Sequence, residues 1–291
     1  MRGFLLVMVA TGCVTRVLSG QTSTESLNPH IYPKFELDAS GTLLVLSETV
    51  RIDPLNKPGE GSEVNAEDVF GVSPTSLQPR AALRWRPGRR HELELGFLRA
   101  VRSAERVLTR DVEYADTTFT AGLRVNSQLR TSQAFLNYRF AFRARENSQI
   151  GAAVGLGALL YRQEIDAVGG VTAGGADTTV TPYSQTRSFN APLGSLGLYG
   201  RFKLGDKWYL DSDARGIYVK VDNFKANVVE LGAAVRRFFG EKFAAELGYG
   251  LGFYKVTLDR PANGTGFLNI DVYGEIKYTV NGFRGGIVYQ F

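Results

Sequence analysis

Few residues in this chain are equipped for catalysis. His30 and His91 are its two histidines, and a Ser–His nucleophilic pair needs an imidazole beside the serine. His30 precedes the first regular segment and His91 follows the compact Pro87-Gly88 turn, so both are expected at one end of the molecule as rim residues. Asp211 and Asp213 share a phase with Arg215; paired carboxylates can transfer protons or bind calcium. Neutralisation of arginines such as Arg201 or Arg236 is the simpler expectation for them. Gly248-Tyr249-Gly250-Leu251-Gly252 has the glycine density of a phosphate-binding loop, but it lies inside an alternating segment, not between a strand and a helix. Its glycines are read as room for bulky neighbours. Asn263-Gly264-Thr265, a glycosylation sequon by spacing, is read as a turn. No catalytic residue, metal site or cofactor is assigned.

The elements that would position these groups follow from composition and pattern. The 291 residues are 44% hydrophobic and 22% charged, with 33 Gly, 18 Phe and 13 Tyr. No stretch approaches the roughly 18 consecutive apolar residues of a membrane-spanning helix. A membrane-spanning strand escapes that test, because it alternates lipid-facing and lumen-facing residues and averages to neutral. The net charge of +5 is a small excess with acids interspersed throughout, and no basic block points to nucleic acid.

The first residues read as an export signal: Arg2, the apolar run Phe4 to Ala10, then Val17-Leu18-Ser19 with cleavage expected after Ser19. Arg16 fits this scheme poorly. A rival reading takes Ala10-Thr11-Gly12-Cys13 as a lipid-attachment box, although the usual leucine is missing. Cys13 is the only cysteine, so cleavage after Ser19 leaves no disulfide and no thiolate metal site.

From residue 33 onward apolar residues recur at every second position. Leu77, Ala81, Leu83 and Trp85 oppose Gln78, Arg80 and Arg84, with Arg86 continuing that side. Leu93, Leu95 and Phe97 oppose Glu92, Glu94 and Gly96. Phe243, Ala245, Leu247, Tyr249, Leu251 and Phe253 oppose Glu246 and a row of glycines. Compact turns at Pro87-Gly88, 145–147, 205–207 and 240–242 alternate with longer polar stretches, notably 53–73 and 167–185. This predicts an all-β, antiparallel up-and-down transmembrane β-barrel of about ten strands, with eight or twelve as alternatives. The strands fall at 33–52, 75–86, 90–112, 117–143, 149–166, 186–204, 207–222, 226–239, 242–259 and 266–291. Residues 1–19 are then the signal, 20–32 an N-terminal periplasmic segment and 33–291 the barrel.

Two segments change phase. In 117–143 the apolar positions pass from Phe119, Leu123 and Val125 to Leu136, Tyr138, Phe140 and Phe142. In 266–291 they pass from Ile276, Tyr278 and Val280 to Phe283, Ile287, Tyr289 and Phe291. A one-residue shift within a continuous strand implies a bulge, placed here at Asn281-Gly282; an extra hairpin at that Asn-Gly is the rival. The 90–112 and 117–143 segments exceed the membrane's needs, and their joint near Tyr114 is expected to project as a hairpin.

The polar phase carries Arg80, Arg84, Arg86, Glu92, Glu94, Arg139, Arg201, Lys203, Asp211, Asp213, Arg215, Glu230, Arg236, Glu246, Glu275 and Lys277. All are expected to face inward. Arg84 and Arg86 are hairpinned to Glu92 and Glu94, so cross-strand pairing is expected. About eight strands leave an interior that side chains fill, whereas 16–18 leave an aqueous channel. The expectation is a charge-paired plug or, at most, a narrow pore.

The ending Gly285-Gly286-Ile287-Val288-Tyr289-Gln290-Phe291 resembles the terminal strand of bacterial outer-membrane β-barrel proteins. That resemblance implies residence in the outer membrane of a Gram-negative cell, among its lipid and lipopolysaccharide. It also implies that Tyr289 and Phe291 are read by the barrel assembly machinery. Known outer-membrane hydrolases place His-dependent sites toward the outer rim or membrane face, where neither histidine is expected. The functional expectation is therefore a non-enzymatic structural or narrow-pore barrel. A surface-recognition barrel using the outer loops is the alternative, and a carboxylate-based enzyme comes third.

Overall fold

The computed structural model describes residues 27–53, 63–109, 111–114, 117–168, 170–173, 179–180, 183–221, 224–259 and 274–291. The expected signal segment and Cys13 lie outside the described residues. Ten long strands form the wall: β1 (Phe35–Ile52), β2 (Thr75–Gly88), β3 (His91–Val107), β4 (Arg124–Arg145) and β5 (Ser148–Val168), then β6 (Tyr183–Lys203), β7 (Trp208–Val221), β8 (Phe224–Phe239), β9 (Phe243–Leu258) and β10 (Gly274–Gln290). Each pairs antiparallel with its neighbours in sequence. β10 returns to β1, with Glu36 opposite Gln290 and Ile52 opposite Gly274. Closure removes every free edge, which a membrane requires of a sheet. Phe291 completes the seam: its N–H donates to the Phe35 carbonyl at 3.1 Å, and the Phe35 N–H donates back at 3.0 Å.

All four compact turns lie at the end that holds Phe35 and Phe291. The tightest are the two-residue links 89–90 and 146–147, and Gly240 turns the chain with φ 83°. At this end the outward positions are aromatic. Phe35 stacks on Phe291 at 5.4 Å between ring centroids, Phe243 lies 4.7 Å from Tyr289, and Arg237 covers Trp208 and Phe239. From this girdle upward the outward face is aliphatic and aromatic for six alternate positions on β9, from Phe243 to Phe253. It then turns polar at Ser47, Arg130, Arg162 and Lys255. That height matches the roughly 9–11 residues a tilted strand needs to cross the hydrocarbon.

Away from the compact turns the side-chain phase does not change along a strand. On β4 the odd residues from Val125 to Ala141 face inward, and on β10 the even residues from Gly274 to Gln290 do so. β10 keeps one register against both β9 and β1, so Asn281-Gly282 is neither a bulge nor a hairpin. What changes is the environment. In the membrane half the outward face is apolar and the interior charged, whereas in the outer half the outward face meets water and the interior is aliphatic. The apolar phase flips because the core crosses from outside the wall to inside it. The register shifts that do occur, between Trp85 and Gly88 and between Ala141 and Arg143, sit beside the compact turns.

The outer connections depart from the sequence reading in two places. Val112–Tyr114 and Thr117–Phe119 leave the wall and join Gly170–Ala173 and Thr179–Val180 in a separate four-stranded sheet, so β4 begins only at Arg124. Within the stretch expected as a polar loop, Glu63–Asn65 pairs with β1 and leads into a short helix, α1 (Ala66–Phe70). Asn65 caps it by accepting the Asp68 N–H at 2.8 Å, and Gly71 ends it in the left-handed region with φ 68°. Ala66, Val69 and Val72 pack against Leu108, Leu123, Val125 and Phe224, forming an apolar roof over the outer mouth.

Candidate functional site

Among the described residues the buried charged side chains gather in the lumen, which is built in layers. The lowest layer is the segment before β1, which enters the mouth at the girdle end. Ile31 and Tyr32 are buried with Tyr209, Phe238, Ala244 and Val288. The Tyr32 hydroxyl donates to the carbonyls of Arg145 and Ser148 at 2.7 and 3.0 Å. His30 belongs to this stopper, its ring 3.9 Å from that of Phe238 and its Nδ1 3.3 Å from Gln290 Oε1. His91 faces outward on the girdle, with Nδ1 2.7 Å from the Tyr138 hydroxyl.

Above the stopper lies a layer of interlocked ions. Glu36 and Glu94 are 1% and 0% exposed, while Leu37 and Leu95 beside them are 45% and 59% exposed, so strand alternation alone drives these carboxylates inward. Glu36 accepts from Arg236 at 2.9 Å, from Arg201 at 3.4 Å, from Gln290 Nε2 at 2.9 Å and from Arg84. Arg236 also reaches Glu246 at 2.7 Å and Asp211 at 3.0 Å, and Arg201 binds Asp211 at 3.0 Å. Across the β2–β3 hairpin Arg84 stands opposite Glu94 at 3.0 Å, and Arg86 pairs with Glu92. Arg139 on β4 binds Glu92 at 3.2 Å and also Glu94, while Arg80 bridges Glu94 and Asp38 at 2.9 and 3.1 Å. Higher up, Arg215 meets Asp213 at 3.3 Å and Arg284 meets Glu246 at 2.7 Å. Tyr254 donates to Glu230.

The charges of this layer cancel. Arg80, Arg84, Arg86, Arg139, Arg201, Arg215, Arg236 and Arg284 face Glu36, Asp38, Glu92, Glu94, Asp211, Asp213, Glu230 and Glu246. Balance is a physical requirement, because an unpaired ion in such a site costs several kcal/mol. Asp211 and Asp213, the pair that could have done acid–base chemistry, are each committed to arginine. Glu36, Asp38 and Arg284 went unremarked in the sequence, although Glu36 and Asp38 alternate with Leu37 and Ala39 in the pattern used elsewhere. Glu275 and Lys277, expected inward, point outward above the membrane belt, 2.7 Å apart, with Lys255 3.0 Å from Glu275. They follow the odd phase of β10, which the supposed bulge would have reversed.

At the outer mouth Arg102 joins Glu48 on β1 to Glu67 on α1, the latter at 2.6 Å. Glu67 also accepts the Glu48 N–H at 2.9 Å, and the Tyr161 hydroxyl donates to Glu48 at 3.1 Å from β5. Partial burial, reinforced by Asp68, pushes the Glu67 carboxyl up to about 7, against the bonds that favour its charge. Among the described residues, no group of three or more His, Cys, Asp or Glu could hold a metal ion.

A closed antiparallel barrel with an apolar outer belt, an aromatic girdle and a charged interior defines a transmembrane β-barrel of the bacterial outer-membrane class. Among solved structures the chain is similar to the outer-membrane protease OmpT of Escherichia coli. The two are 13% identical over 88% of this chain and 96% of that one, with a TM-score of 0.52, which establishes the shared fold. It is also similar, at a TM-score of 0.36 and 11% identity, to the attachment invasion locus protein Ail of Yersinia pestis, over 89% of this chain and 99% of that one. No protein-family model and no curated protein matches the chain.

Proposed function

We propose that this chain is a non-enzymatic outer-membrane barrel with a sealed lumen, serving the envelope structurally and conducting no solute through its interior. One observation carries the reading: Glu36 on β1 bonds Arg201 on β6, five strands away in a ring of ten. Side chains from opposite walls meet, so the lumen at that level is bridged across its width, which supports a sealed barrel. The stopper of Ile31 and Tyr32 lies directly beneath, tied in by Arg201 to the Ile31 carbonyl at 3.2 Å. Side-chain filling is what a barrel of this strand number allows.

Solute permeability tests it. Liposomes reconstituted with the folded protein should swell in glycine or arabinose no faster than protein-free liposomes. Swelling at rates set by solute size would sink the sealed-barrel reading.

A further inference from the structure

Above the ion layer the lumen is incompletely filled, and its lining passes from polar next to the ions to mostly apolar toward the roof. Gly155, Gly157, Gly232, Gly250 and Gly252 line a cavity of about 200 Å³ at mid-barrel. A second cavity of about 90 Å³ shares Leu44, Leu98, Gln78, Gln133, Tyr254 and Val280 with it, and is walled further by Leu46, Leu129, Leu159, Val256 and Ile276. The floor is the balanced layer of Arg80, Arg215 and Arg284 with their carboxylates, and the roof is the cluster around α1.

Here aliphatic side chains face a void, and each forgoes dispersion contacts it would make in a packed core. Apolar walls such as those of the upper part admit apolar solutes; a wholly apolar cavity of about 150 Å³ holds benzene. Small-molecule sites combine mostly apolar walls with a few polar groups that fix orientation. The amides of Gln78 and Gln133 and the hydroxyl of Thr131 supply those groups. The floor arginines are already matched by carboxylates, and Glu48 and Arg102 in the upper wall pair with each other, so the chamber offers no unpaired ion to a charged guest.

The geometry points to a binding site for a small uncharged apolar molecule, aromatic or short aliphatic, held inside the outer half of the barrel between the ion layer and the α1 roof. This goes beyond the sealed-barrel reading, since the chamber keeps its guest whether or not the floor leaks.

Bromobenzene tests it in two ways. In crystals of the unsubstituted protein soaked with it, the bromine anomalous signal should appear between Leu98, Leu159 and Val256. In equilibrium dialysis, the folded protein should retain a saturable excess of bromobenzene over the detergent background. Leu98→Trp, which fills the chamber, should abolish that excess while keeping the mobility of a folded barrel on unheated gels. Bromine found only on the lipid-facing belt overturns the proposal. So does binding at crystal concentration only, with no saturable excess in solution, or an excess that Leu98→Trp leaves unchanged. If Leu98→Trp does not fold, the bromine position and the excess in the unsubstituted protein decide the matter.

Discussion

Glu36 holds three guanidiniums from three other strands, and its removal would leave Arg84, Arg201 and Arg236 facing one another. Breaking a buried pair from one side costs about 3–5 kcal/mol. Glu36→Ala is therefore expected to lower unfolding stability by about that amount, measured by urea titration in a fixed detergent; a change under about 1 kcal/mol would mean the network is solvated. Part of this network was legible in the sequence, because charge alternating with aliphatic residues assigns an inward face without further information. That Arg84 and Arg86 pair with Glu92 and Glu94 followed from the hairpin joining their strands, but which meets which did not. Contacts across the lumen, such as Glu36 with Arg201, did not, since they depend on barrel diameter and stagger, which no local pattern encodes.

At the scale of elements, the strands were legible and the meaning of their phase was not. A period of two shows that the two faces differ, but it does not say which face is the core. Leu129 and Leu136 carry the same side chain on opposite faces of β4, one roofing the lumen and the other against lipid. Nitroxide labels at single cysteines test this on β10. Labels replacing Phe283 and Ile287 should be reached by oxygen dissolved in the bilayer, and labels replacing Ile276 and Tyr278 should be shielded from it. Lipid exposure at all four would restore the bulge. α1 was missed because five residues give no periodicity, although Asn65 and Gly71 are its cap signals. Its docking is pH-dependent. Glu67 sits at about 7 when docked, against an ordinary value near 4.5, so the docked state holds a proton that the undocked state releases. Docking is then strongest below the ordinary value and weakens as pH rises through 7. Amides 66–72, corrected for intrinsic exchange, should be better protected at pH 5 than at pH 8, and Glu67→Gln should flatten the difference. Greater protection at pH 8 would refute this coupling.

For the whole molecule, one inversion organises the architecture: an apolar belt around a charged interior in the membrane, and a polar exterior around an aliphatic interior beyond it. In the proposed reading the inner layer closes the passage, and the outer layer encloses a chamber. Single-channel recording in planar bilayers tests that closure most directly, with the unsubstituted protein beside Arg201→Ala. The unsubstituted protein should insert without conductance steps, and Arg201→Ala, which removes the contact between opposite walls, should show brief openings. Stable open steps from the unsubstituted barrel would contradict the account.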